Sequence, residues 1–183
     1  MKTSFIFLAA LTAALFFITP PAGALTGNLT FSGGLVRTHD DFSRSFDIDE
    51  LTSLGVFCDV KKETWPVYIT AAYVFAYGQS READVYCSDT LVGLKKFFEL
   101  SPAVRPYIAG GVSSLSIYAD MAHDDDYDGA WGGWYGAGLA VSLSHHWQMH
   151  LDWRRTSAKV DLFRHRLEAG GDSFSFAIGY RFR

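Results

Sequence analysis

Large apolar residues recur at every second position along most of this chain, the period of a strand with two unlike faces. The clearest run closes the sequence: Phe174, Phe176, Ile178, Tyr180 and Phe182 share one face, and Ser173, Ser175, Ala177, Gly179 and Arg181 the other. Residues 147–154 repeat it, with Trp147, Met149, Leu151 and Trp153 against Gln148, His150, Asp152 and Arg154. Val67 to Tyr77 and Tyr135 to Ser144 follow the same rule. A water-soluble sandwich is the rival architecture, but it would need a polar, water-facing stripe where these segments carry Phe, Trp and Tyr. Apolar side chains outward and polar ones inward is the dress of a transmembrane β-barrel.

Eight such segments are predicted, at 25–37, 51–61, 66–78, 85–98, 104–119, 131–144, 147–157 and 172–183. The fold class is therefore all-β, an eight-stranded antiparallel up-and-down barrel whose even strand count puts both termini at one end. Connections at 62–65, 99–103 and 145–146 are short. Those at 38–50, 79–84, 120–130 and 158–171 are longer and charged. In the fifth segment Leu115 and Ile117 fall on the presumed polar face, which predicts a bulge near Ser113-Ser114.

Composition narrows the picture. Of 183 residues 49% are hydrophobic and 16% aromatic, which excludes a mainly disordered chain. A formal charge of −4 gives no basic excess for nucleic acid. Residues 1–24 read as a cleaved signal peptide: Lys2, an apolar run from Phe5 to Ile18 too short to span a bilayer, Pro20-Pro21, then Ala22-Gly23-Ala24. Residues 25–183 then form the barrel domain. Cys58 and Cys87 fall roughly 20 Å apart on the predicted strands, beyond disulfide reach, so both are expected as free thiols.

Three features resemble one family: the signal peptide, the segment Arg105-Pro106-Tyr107-Ile108-Ala109-Gly110-Gly111-Val112, and the terminal aromatic alternation. The chain is similar over its whole mature length to the small eight-stranded outer-membrane barrels of the OmpA transmembrane domain and OmpX type. Two departures stand out, since Arg183 follows the terminal aromatic Phe182 and no peptidoglycan-binding domain follows the barrel. The resemblance implies a monomer in the bacterial outer membrane with short turns and both termini periplasmic. It also implies that Phe174, Phe176, Ile178, Tyr180 and Phe182 form the signal for the barrel-assembly machinery. The family shares a fold more than an activity.

Candidate chemistry gathers in four places. Asp59, Lys61, Asp89, Lys95, Arg105, His150, Asp152, Arg154 and Arg181 are placed on the inner face as a charge network. It reads either as a closed ionic core or as a gated channel in which Asp152 exchanges between Arg105 and Arg154, with inner Gly136, Gly138, Ala140, Ala177 and Gly179 leaving space. Asp124, Asp126 and Asp128 before Gly129 form the first half of a calcium loop, but the twelfth position is Tyr135 rather than Glu. Calcium is the one cofactor considered. Lys159, Arg164 and Arg166, with His165 beside them, suit lipopolysaccharide phosphates, unless they pair with Asp161, Glu168 and Asp172. Ser157, His165 and Glu168 or Asp161 are the components of a lipid-editing site, but no H-x-S-N segment accompanies them. Interfacial girdles are assigned to Trp65, Phe97, Phe98, Tyr107, Trp147, Tyr180 and Phe182 at one end, and to Tyr77, Tyr118, Trp131 and Trp134 at the other. His145-His146 reads as a polar turn. The role expected is non-catalytic, in membrane integrity or surface interaction through lipopolysaccharide, with a small channel as the alternative and a lipid A-modifying enzyme behind it.

Overall fold

A computed structural model describes residues 25–81, 83–121, 124–162 and 165–182. The strands are β1 (Leu25–Thr38), β2 (Glu50–Lys62), β3 (Tyr68–Gln79), β4 (Ala83–Phe97), β5 (Val104–Met121), β6 (Asp124–Ser142), β7 (Trp147–Leu162) and β8 (His165–Phe182). A short helix, α1 (Asp40–Phe46), interrupts the first long connection. Each strand pairs antiparallel with the next, and β8 closes on β1. The lateral row Ala137, Trp153, Phe174, Leu35, Thr52, Tyr77, Tyr86, Tyr118 circles the barrel and re-enters β6 at Tyr127, ten residues from its start. That stagger over eight strands tilts them by about 40° and leaves an interior just wide enough for side chains.

The predicted alternation governs which residues face out. Phe31, Leu54, Ile108, Leu151 and Phe174 are each more than half exposed, while Thr70, Asp59, Gln148 and His150 are buried inside. Trp147 and Tyr180 meet edge to face at 5.5 Å at the end that carries the termini. The outward tyrosines Tyr77, Tyr86, Tyr118 and Tyr127 form one cross-strand row at the opposite, loop end.

The bulge and two of the loop assignments are corrected, and two other expectations gain detail. β5 pairs without a bulge through Ser113 and Ser114, whose partners are Leu91 and Thr90. Leu115 and Ile117 do point inward, because the loop half of the lumen is apolar rather than polar. The stretches at 120–130 and 158–171 are strand over their described residues: β5 pairs with β6 as far as Met121 and Asp124, and β7 with β8 as far as Leu162 and His165. The connection at 38–50 holds α1, whose Phe42 and Phe46, one turn apart, face the lumen together. Asp40 and Asp41 in the first turn and Arg44 in the last suit the helix dipole.

Candidate functional site

The lumen has two zones. Toward the termini, Lys95 donates to Asp59 at 2.9 Å with both side chains almost fully buried. Three rings surround that ammonium, those of Tyr107, Phe57 and Phe97 at 4.9, 5.7 and 5.9 Å. Arg105 donates to Gln148 at 2.8 Å, and Gln148 donates to Asn28 at 2.7 Å. The Tyr107 hydroxyl donates to Asp152 at 2.7 Å, and Arg181 donates to Ser142 at 2.9 Å. The predicted lumenal charges thus do gather in the interior. Their pairing differs from the expectation, since Asp152 takes a phenol and Arg105 an amide. Arg154, two rungs nearer the loop end, lies over Phe57 at 5.3 Å and donates to Ser173. Lys61 caps the zone over the Tyr68 ring at 5.1 Å.

Three girdle assignments fail, those of Tyr107, Trp134 and Phe97. Tyr107 and Trp134 sit inside, 3% and 7% exposed. Room for them comes from inner glycines: a Cβ on Gly138 would lie 2.3 Å from the Tyr107 ring, and one on Gly93 2.9 Å from Trp134. Of the small inner residues expected to leave space, Gly138 is covered by the Tyr107 ring and Gly179 by Thr30, His150 and Gln148. Phe97 also turns inward, against Tyr107 at 5.1 Å.

Toward the loop end the interior becomes apolar. Val85, Ile117, Ala119, Val160 and Leu162 are buried there with Phe42, Phe46, Ile48 and Leu51. The Phe42 and Phe46 rings lie 4.7 Å apart, and α1 closes the mouth as a stopper. Between the zones lies a cavity of about 40 Å³, with Phe42, Leu115 and Ile117 on one side and Asp89 and Arg154 on the other. That volume suits one or two waters. Gly171, at φ 142°, lets β8 pass close to β1 beside this cavity, for a Cβ there would lie 2.0 Å from the Arg37 carbonyl oxygen. Cys87 lines the cavity, whereas Cys58 faces outward; both are free.

The outer candidates disperse. Asp126 and Asp128 lie at alternate positions of a straight strand, about 7 Å apart along it. The carboxylate of Asp128 accepts from the Asp161 backbone at 2.6 Å. No group of three His, Cys, Asp or Glu suited to a metal occurs among the described residues. Arg164 and His123 lie outside the described residues, as do the side chains of Asp124, His165 and Arg166. On the β7–β8 hairpin, Arg155 pairs with Asp172 at 3.4 Å and Lys159 stands directly across from Glu168. Ser157 donates to Glu168 at 2.8 Å, and His39 approaches that carboxylate at 4.0 Å. This hydrogen bond and the nearby ring hold the Glu168 carboxyl below the usual carboxylate range. With the Ser157 proton turned to a carboxylate instead of a histidine, the described residues do not make the nucleophile and base pair expected of a hydrolase. His146 belongs to a turn at 143–146 and stacks on Tyr180 at 5.6 Å.

The family described as outer membrane protein β-barrel domain matches residues 8–182. No curated protein matches the sequence. Among solved structures, Neisserial surface protein A is similar at 10% identity and a TM-score of 0.65, covering 86% of this chain and 97% of its own. Ail, the attachment invasion locus protein of Yersinia pestis, is similar at 13% identity and 0.58, covering 87% and 99%. The N-terminal β-barrel domain of Pseudomonas aeruginosa OprF follows at 15% and 0.54, covering 86% and 97%.

Proposed function

Because this chain belongs to the outer membrane protein β-barrel family, and so is an integral protein of that membrane, we propose that it acts as a sealed, non-catalytic scaffold of the membrane surface. The observation that carries this reading is the double closure of the lumen. Lys95, Asp59, Tyr107 and Trp134 fill one half, and Phe42 and Phe46 on α1 stopper the other. Even if α1 moved, a solute would still meet buried aromatic rings and a hydrogen-bonded ion pair.

With the lumen closed, function falls to the outside of the loop end. Arg37, Arg155 and Lys159 point outward from β1 and β7, where a membrane interface rich in phosphate would meet them. Lipopolysaccharide is the partner this chemistry suits, through phosphate contacts to those three side chains and to Arg164 and Arg166. The chain works as a monomer, with short turns and both termini in the periplasm, and its β8 aromatics Phe174 to Phe182 serve barrel assembly.

Single-channel recording tests the reading. Residues 25–183, refolded and inserted in a planar bilayer, are expected to stay silent while gel mobility and circular dichroism report a folded barrel. A reproducible conductance that changes in Asp152→Asn would replace the scaffold by a channel.

A further inference from the structure

On the outside of β6, β7, β8 and β1 two apolar rows lie one above the other. Leu35, Phe174, Trp153 and Ala137 are lateral neighbours in the upper row, and Gly33, Phe176, Leu151 and Leu139 in the lower. Their small members, Ala137 and Gly33, stand at opposite corners, and the surface between them is a hollow of about 840 Å³ that reaches Arg37 and Glu50. It is an open groove on the surface and not an enclosed pocket. Gly33 borders real space: a Cβ built there meets only Leu54, at an ordinary 3.6 Å.

The next row toward the loop end is charged, in the lateral order Glu50, Arg37, Asp172, Arg155. Asp172 is already engaged twice, by the Trp153 indole N–H at 3.1 Å and by Arg155 at 3.4 Å. Arg37 is exposed and forms no ion pair with any described carboxylate, although Glu50 stands across from it. A fixed order results: an apolar hollow at the depth of the lipid chains, then an unpaired guanidinium two residues further along β1. A single chain of soluble protein would not match both. A lipid with an acyl chain under an anionic phosphate does.

We propose that this face holds one acyl chain of lipid A in the hollow, with its phosphate on Arg37 and Arg155. The inference rests on the lipopolysaccharide reading above and makes it specific, from a charge contact to a seated chain. Phosphate recognition alone needs the two arginines; chain seating needs Gly33 and Ala137 to stay small.

The test is lipid retention by the refolded barrel, measured by native mass spectrometry after release from detergent. The probes are purified lipid A, the same molecule stripped of its acyl chains, and phosphatidylglycerol. Wild type is expected to hold one lipid A at least tenfold more tightly than either other probe. Gly33→Phe, which fills the hollow from an unobstructed position, and Ala137→Trp at the other corner should each lose that preference. Arg37→Gln should lose it too. Circular dichroism and gel mobility establish that each variant is folded. If lipid A binding falls in Arg37→Gln but is unchanged in both filling variants, the hollow is wrong and the phosphate contact stands. Equal retention of phosphatidylglycerol means ordinary boundary lipid and overturns the inference. No lipid A on wild type overturns both.

Discussion

From the termini up to Arg154, the inward positions carry Asp59, Lys95, Arg105, His150 and Asp152; beyond it they carry Val85, Ile117, Val160 and Leu162, with Phe42 and Phe46 wedged among them. Both halves close the same tube, by unlike means. The polar half is held by charges that each need a partner, so its geometry is fixed and the loss of one partner strands another. The apolar half is held by a helix of seven residues on two connections, so its closure can yield locally while the barrel stays intact. One half is a core and the other a stopper. Four changes break or sharpen that contrast.

The largest effect belongs to the stopper. Phe42→Ala with Phe46→Ala removes two rings whose burial in a core is each worth roughly 3–5 kcal/mol. In a Cys58→Ser background, labelling of Cys87 by a small maleimide is expected to accelerate at least a hundredfold, because Phe42 lines the cavity and the two rings of α1 pack over its loop side. Conductance should nevertheless remain absent, since Trp134, Tyr107 and the Lys95–Asp59 pair are untouched. If the variant conducts, the polar half does not seal.

Next comes the ion pair. Lys95→Met leaves Asp59 charged and buried without its partner, at a cost of about 3–5 kcal/mol in unfolding by urea. Adding Asp59→Asn to it should restore most of the loss. A single substitution as harmless as the double would mean that the pair adds little to the polar half. Tyr107→Phe is milder: it removes one hydrogen bond to a carboxylate, worth about 1.5–3 kcal/mol, while the ring stays in place over Lys95.

Tyr107 also marks where sequence reasoning reached its limit. Period two correctly sorts the faces of β3, β7 and β8 and yields the strand count, because each side chain there answers to its own strand. Whether an inward aromatic fits depends on what the neighbouring strand offers, and Gly138 opposite Tyr107 is visible only once the register is known. The bulge expected near Ser113 arose from assuming a polar interior throughout; Leu115 and Ile117 needed only an apolar partner, which α1 brings from the other side of the chain. A signal for it is present, since Phe42 and Phe46 are one turn apart behind the acidic pair Asp40 and Asp41. Seven residues are too few for periodicity to show. The run Asp124 to Gly129 is open to two readings from sequence, for alternate carboxylates fit a strand as readily as a calcium loop, and in the barrel it opens β6, paired with β5.

The smallest effect lies at the rim between the two kinds of closure. Glu168 accepts from Ser157 on the neighbouring strand and has the ring of His39, the residue that precedes α1, beside it at 4.0 Å. Its folded carboxyl titrates below the ordinary value. The contact therefore contributes fully above the unfolded carboxylate value, about 4.3, and its contribution is lost as the pH falls through the lower folded value. The site is exposed, so solvent screening limits the contribution to well under 1 kcal/mol. Hydrogen exchange of the β7–β8 hairpin is expected to rise modestly on acidification below that value, and Glu168→Gln should abolish the pH dependence. An equal rise in the Glu168→Gln protein would assign it to the other acids of the rim. Because the Lys95–Asp59 end is reached by neither change, any loosening confined to the hairpin and α1 would show the stopper moving independently of the core beneath it.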